Sequence, residues 1–285
     1  MIELGSNRYG KSAIRLVKLV RGPEHHVVRD LTIAIALEGS FEAAYTDGDN
    51  SGVVATDTMK NTAYAFARDH LDASIEAYAL ALGRHFLDES QVARSTVTVR
   101  EHRWRPLPMA DGPAATAFAR DPMLTRVAVV TATSEGETFE AGIEDLALMK
   151  TAGSAFAGFP RDRYTTLPET EDRIMATQVS ARWRLAPAQV VAPGFDHDRS
   201  FGLVRDTLLE VFAEHDSPSV QASIWLMGRA VIERHREIDE ISLSMPNLHH
   251  LLVDLRPFGL DNDNDIFVAT REPHGLIEAT IRRGA

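Results

Sequence analysis

The chain has 285 residues, a formal net charge of −11 from 41 acidic and 30 basic side chains, and no cysteine. The acidic balance repels DNA, RNA and anionic lipid at long range, and the missing thiols exclude disulfides, thiolate metal sites, iron–sulfur clusters and a cysteine nucleophile. A hydrophobic fraction of 44% is ordinary for a globular protein, and at ~100–200 residues per domain the length suggests two domains or one large one.

The first residues, Met1-Ile2-Glu3-Leu4-Gly5-Ser6-Asn7, lack the basic start and apolar stretch of a signal peptide. The last, Ile281-Arg282-Arg283-Gly284-Ala285, carry no peroxisomal Ser-Lys-Leu address, and no apolar run approaches the ~18 residues of a membrane span. The expectation is a soluble cytoplasmic protein without a nucleic-acid or membrane partner.

From Ile14 to Val20 apolar side chains recur every second residue, which is the strand period. The polar pause Gly22-Pro23-Glu24-His25 and a second candidate strand, Val27 to Leu37, complete a hairpin signal. Helical spacing follows: Met59, Ala63 and Phe66, then Leu71, Ile75, Tyr78 and Leu82. Strand patterns return at Val92–Trp104, Val127–Thr133 and Thr138–Leu148. The second half repeats the outline. Ile174–Trp183 reads as a strand; Phe201, Val204, Leu208 and Val211 mark one helix face, and Val220, Ile224, Met227 and Val231 another. Ser217 or Ser219 is the expected cap between them. Strands at Ile238–Leu243, His249–Leu255, Ile266–Thr270 and Leu276–Ile281 close the chain.

Each half thus reads as hairpin, helix pair, hairpin, with units expected at 1–140 and 141–285. Strands separated by two consecutive helices imply an α+β fold of antiparallel sheets with helix pairs on one face. Such sheets leave edges that a symmetric oligomer would close.

Common cofactor motifs are missing. There is no Gly-x-Gly-x-x-Gly turn, no phosphate loop and no Gly-x-Ser-x-Gly elbow. His25-His26 and His249-His250 lack zinc spacing, because adjacent strand residues point to opposite faces. Asp196-His197-Asp198 precedes a helix and is explained by capping and dipole matching. Asp261-Asn262-Asp263-Asn264-Asp265 lacks the Gly and Glu of a calcium loop and reads as a solvated turn. No metal and no organic cofactor is expected.

Val53-Val54-Ala55-Thr56-Asp57-Thr58-Met59-Lys60 reads as a connection entering a helix. A hydroxyl and a carboxylate at a helix start cap it, or they hold a small polar ligand against its free N–H groups. Local pattern leaves both open.

Several segments together resemble the urate oxidase (uricase) family. They are Arg8-Tyr9-Gly10-Lys11; Ala55-Thr56-Asp57-Thr58-Met59-Lys60-Asn61-Thr62; Thr151–Phe159 continuing to Arg173; Ser219-Val220-Gln221-Ala222; Leu243–His250; and Pro273-His274-Gly275-Leu276-Ile277-Glu278-Ala279-Thr280. The resemblance implies two tandem tunnelling-fold units per subunit, assembling edge to edge into an oligomeric barrel, a homotetramer with active sites at subunit interfaces. It implies conversion of urate, oxygen and water to 5-hydroxyisourate and hydrogen peroxide with no metal or flavin.

By the same resemblance Lys11, Thr56 and His249 match a proton relay, and Asn247 with Thr56 matches the position that holds oxygen or water above the ring. Asp57 matches a purine-contacting position. Phe156, Leu167, Arg173, Val220 and Gln221 match the substrate clamp. These residue types suit a flat purine anion: a guanidinium pairs two acceptors at once, an amide reads an edge, and an aromatic face stacks. Ala157 departs from the bulky aromatic residue of many relatives. Two other readings remain, a pterin- or guanine-directed enzyme of the same fold and a non-catalytic purine-binding oligomer. The missing cysteine and histidine triad count against the first, and the presence of Lys11, Thr56 and His249 against the second.

Overall fold

Period-two patterning at the start of the chain becomes a long hairpin in the computed structural model, which describes residues 2–186 and 194–284. β1 (Tyr9–Arg21) pairs antiparallel with β2 (His26–Gly39), and Leu31, Ile33, Ile35 and Leu37 of β2 are completely or almost completely buried. Burial of each such side chain contributes roughly 1.5–3 kcal/mol. One short turn of helix, α1 (Glu42–Thr46), precedes α2 (Thr56–His70) and α3 (Ile75–Leu87). The apolar spacing that continues from Leu71 is broken there. Leu71 is the C-cap of α2, and Ser74 Oγ accepts from Ala77 N to start α3.

β3 (Val92–Glu101) is shorter than the expected Val92–Trp104 strand. Trp104 instead opens β4 (Trp104–Met109), which pairs with β5 (Gly112–Arg120) in a separate two-stranded sheet. Every residue of β4 is exposed, and two prolines interrupt it. Neither period nor propensity announces such a strand. β6 (Thr125–Thr133) and β7 (Gly136–Lys150) follow.

β8 (Met175–Leu185), α4 (His197–Glu214) and α5 (Val220–Arg234) come next, then β9 (Ile238–Asn247), β10 (His250–Leu252), β11 (Phe267–Ala269) and β12 (Gly275–Arg282). Of the two serines expected as caps, Ser219 caps α5 by accepting from Ala222 N.

The fold is α+β, and the chain forms two compact units. The first comprises Met1–Gly142 with Arg184–Phe201, the second Ile143–Trp183 with Gly202–Ala285. In the first, strands neighbour in the order β1-β2-β3-β6, α3 packs on β3 and β6, and α2 packs on β1 and α3. In the second, β8 neighbours β9, β9 pairs antiparallel with β12, and α5 packs on both β9 and β12.

A buried ion cluster holds the start of α4 to the first unit. Arg126 makes a bidentate contact with Glu76, both at 2.9 Å, and reaches Asp198 Oδ1 at 2.6 Å. Arg29 bridges Glu101 at 2.7 Å and Asp198 at 3.0 Å. Asp196 caps the helix by accepting from Arg199 N at 2.9 Å. Asp196-His197-Asp198 is therefore cap and clasp, and among the described residues no cluster of three metal-ligating side chains forms. No helix among them is long and apolar enough to cross a membrane.

Candidate functional site

Two groups of the expected site residues gather in space, one in each unit.

The first forms where β1 begins. A Cβ on Gly10 would fall 1.9 Å from the Ile35 carbonyl oxygen, so only glycine fits beside β2 there. Lys11 pairs with Ile35, and the register resumes at Ile14–Ile33. Ser12 and Ala13 form a β-bulge in between, with Ala13 in the left-handed region at φ 58. A bulge re-aims the side chains beside it, and Lys11 sits half-buried directly before this one. The Tyr9 hydroxyl accepts from Val54 N at 2.8 Å, while its ring meets Phe41 edge-on at 4.7 Å. That contact ties the strand carrying Lys11 to the connection that enters α2.

The N-cap of α2 is Ala55, with no side-chain cap. Thr56 and Asp57 therefore stand in the first turn without capping it, and of the two local readings the cap is not realised. Asp57 accepts from Lys60 Nζ at 2.5 Å and Asn61 Nδ2 at 3.0 Å. The Lys60 hydrogen bond and charge hold its carboxyl below the usual range, and the field of Lys11 adds to them. Lys11 thus lies within electrostatic reach of the Thr56-Asp57 turn.

The second group surrounds a cavity of about 730 Å³ in the second unit, with Phe156, Leu167, Arg173, Asn247 and His249 on its wall. The segment from Thr151 to Arg173 is folded back on itself by main-chain bonds. Phe156 and Thr170 exchange two, at 2.8 and 3.0 Å, and Arg173 N donates to Ser154 O at 2.8 Å. The Arg173 guanidinium lies 5.4 Å from the Phe156 ring centroid. Its Nε is buried without a hydrogen-bond partner, and burial alone pushes the group down from the usual arginine value. Two neighbouring acids are engaged elsewhere: Asp172 accepts from Gly153 N at 2.8 Å, and Glu169 from Gly158 N at 3.2 Å. Among the described residues no carboxylate pairs with Arg173, and a half-buried guanidinium beside an aromatic face is chemically able to pair with a flat anion.

Asn247 ends β9, and His249 lies between β9 and β10. Thr270 N donates to the His249 carbonyl at 2.8 Å and fixes its backbone. His250 also lines the cavity, but its Nδ1 is engaged by Leu248 O at 3.3 Å. The ring nitrogens of His249 meet no partner among the described residues.

Val220 and Gln221 do not line this cavity. They occupy the first turn of α5, with Val220 buried and Gln221 exposed. Ala157, the departure noted in the sequence, is exposed and off the wall as well.

Sequence reasoning missed part of the wall. Asn264 and Asp265, read as a solvated turn, line the cavity. The turn is held by Asn262, which donates to Val253 O and Ile266 O at 2.8 Å, and Asn264 takes a positive φ of 67. Asn is the side chain most suited to both roles, and the repeated Asn was the available signal.

Fold and site together define an α+β protein with a cavity that gathers Phe156, Leu167, Arg173, Asn247 and His249. A family model described as Uricase matches residues 7–131 and 139–278. A uricase from Arthrobacter globiformis is 48% identical over 283 residues, covering 99% of this chain and 90% of its own length. A uricase from Dictyostelium discoideum is 38% identical over 287 residues, covering 99% and 98%. The crystal structure of uricase from Arthrobacter globiformis matches with a TM-score of 0.91 over 99% of this chain and 96% of that one. The chain belongs to the uricase family. It is an enzyme, built on the family's tunnelling fold.

Proposed function

We propose that the cavity of the second unit, completed by the first turn of α5, which carries Val220 and Gln221 outside the cavity wall, is the purine site of a urate oxidase acting in purine degradation. Urate, O2 and water become 5-hydroxyisourate and hydrogen peroxide, with no metal or organic cofactor. Arg173 and Gln221 clamp opposite edges of the purine, Phe156 stacks on its face, Val220 offers a backbone contact, and Leu167 closes the wall.

Proton removal must precede electron transfer to oxygen. Lys11, Thr56 and His249 form the relay, with the Thr56 hydroxyl passing the proton between the ring and the amine. Asn247 and Thr56 hold oxygen or water over the purine plane, and Asp57 contacts the purine edge. Lys11 and Thr56 from one subunit meet His249 and the clamp of a neighbouring subunit. The working form is a homotetramer with shared sites, in the cytoplasm. A single local cation suffices for an anionic substrate despite the acidic surface, because the surface field is screened beyond ~8–10 Å.

The observation that carries this reading is Arg173, a half-buried guanidinium whose buried Nε has no partner among the described residues, beside the Phe156 ring. The test is urate consumption followed by ultraviolet absorbance, with peroxide measured in parallel. One peroxide per urate is expected, and Lys11→Ala and Thr56→Ala should each slow turnover by ~10²–10⁴-fold while leaving the assembly intact. Undiminished turnover in both variants would remove the relay.

A further inference from the structure

The end of α4 and the start of α5 are joined by a chain of side-chain hydrogen bonds. His215 Nδ1 lies 2.5 Å from the Val211 carbonyl oxygen, one helical turn back. A carbonyl only accepts, so Nδ1 carries the proton. Nε2 of the same ring lies 2.8 Å from Ser223 Oγ. Ser223 Oγ is in turn 2.7 Å from Ser217 Oγ. Ser217 Oγ also lies 3.0 Å from Ser219 O. Both serines are buried, at 1% and 0% exposure, so no solvent stands in for a lost partner.

Ser217 is where two main-chain segments are stitched together. Its N donates to Gly153 O at 2.8 Å, and its O accepts from Ala155 N at 2.7 Å. Phe156 follows directly, and Arg173 N donates to Ser154 O between those two bonds. On the other side, Ser219 caps α5, and Val220 and Gln221 form its first turn. All four residues therefore depend on the seat of Ser217.

We propose that His215 is a positioning residue for substrate binding. Through Ser223 and Ser217 it sets the spacing between the Phe156–Arg173 side of the purine clamp and the Val220–Gln221 side. The inference rests on the assignment of those four residues to the clamp. His215 itself touches no substrate, and its role is to hold Ser223 in place by a hydrogen bond. The relay residues Lys11 and Thr56 lie outside this network, so the network governs binding rather than chemistry.

The test is steady-state urate oxidation by His215→Phe, which removes both ring nitrogens, and His215→Gln, which returns an acceptor within reach of Ser223. His215→Phe should raise KM about five- to tenfold, as loss of one buried hydrogen bond does, with kcat changed less than about twofold. His215→Gln should recover most of the loss. Ser223→Ala should shift KM in the same direction, and adding it to His215→Phe should bring no further change. Should His215→Phe not fold, Ser223→Ala decides alone. An unchanged KM in the folded variants, or a fall in kcat with KM intact, overturns the proposal. Arg173→Ala run alongside separates the two layers. If it leaves affinity normal, the clamp assignment fails; if it weakens binding while His215→Phe does not, only the role of His215 fails.

Discussion

Arg173→Ala should damage binding without damaging the fold, because the two effects have separate physical origins. In the free protein the guanidinium is part-buried, and among the described residues its Nε lacks a partner and no carboxylate pairs with it. Leaving a buried donor unsatisfied costs ~1–3 kcal/mol, and the contact with the Phe156 ring contributes ~0.5–2 kcal/mol in the opposite direction. The two nearly offset, so the melting temperature should stay within about 3 °C of wild type or rise. Charge-assisted hydrogen bonds to a bound anion are worth ~1.5–3 kcal/mol, so their loss should weaken urate binding by roughly 10- to 150-fold.

Arg126→Ala is the informative control. It strands Glu76, whose side chain is 1% exposed, and breaking such a buried pair costs ~3–5 kcal/mol. Its melting temperature should fall by roughly 6–20 °C. Calorimetry on both variants, with equilibrium titration of urate under anaerobic conditions, separates the cases. The reasoning is refuted if Arg173→Ala melts as early as Arg126→Ala, or if it binds urate normally.

Tyr9→Phe removes the acceptor for Val54 N and loosens the tie between the Lys11 strand and the entrance of α2. It should lower kcat several-fold with little change in KM and cost about 1 kcal/mol of stability; an unaltered kcat would show that Tyr9 orients nothing. His235 is 8% exposed, shares a hydrogen with Thr207 at 2.9 Å, and is held by burial below the ordinary histidine value of 6.5. The unfolded chain then binds more protons than the folded one, so stability should fall as the pH drops below that value. His235→Gln should flatten this slope in denaturation measured at several pH values, and an identical slope in the variant would assign the dependence elsewhere.

Much of the fold was legible because half-buried strands and amphipathic helices print their period in the chain. β2 reads that way from Leu31 to Leu37, and α5 from Val220 to Val231. The β4–β5 hairpin was not legible, since an exposed ribbon with prolines needs no apolar alternation. The candidate site residues came only from a resemblance. Glu169, Glu171 and Asp172 flank Arg173 and suggest an ordinary ion pair. That Asp172 and Glu169 instead hold Gly153 and Gly158 depends on how residues 151–173 fold back, which no local pattern encodes. Thr56 posed the same problem, because its helix-start position fits a cap equally well until the chain places Ala55 there.

The central proposal is a shared site, with Lys11 and Thr56 from one copy of the chain and His249 and the clamp from another. Coexpression of Lys11→Ala with Arg173→Ala in equal amounts tests it directly. Each variant alone should be nearly inactive. Random mixing should leave about a quarter of the shared sites with both residues intact, and urate oxidation should recover to about that fraction of wild type. Mixed oligomers that form in the expected proportion and remain as inactive as either parent would contradict it.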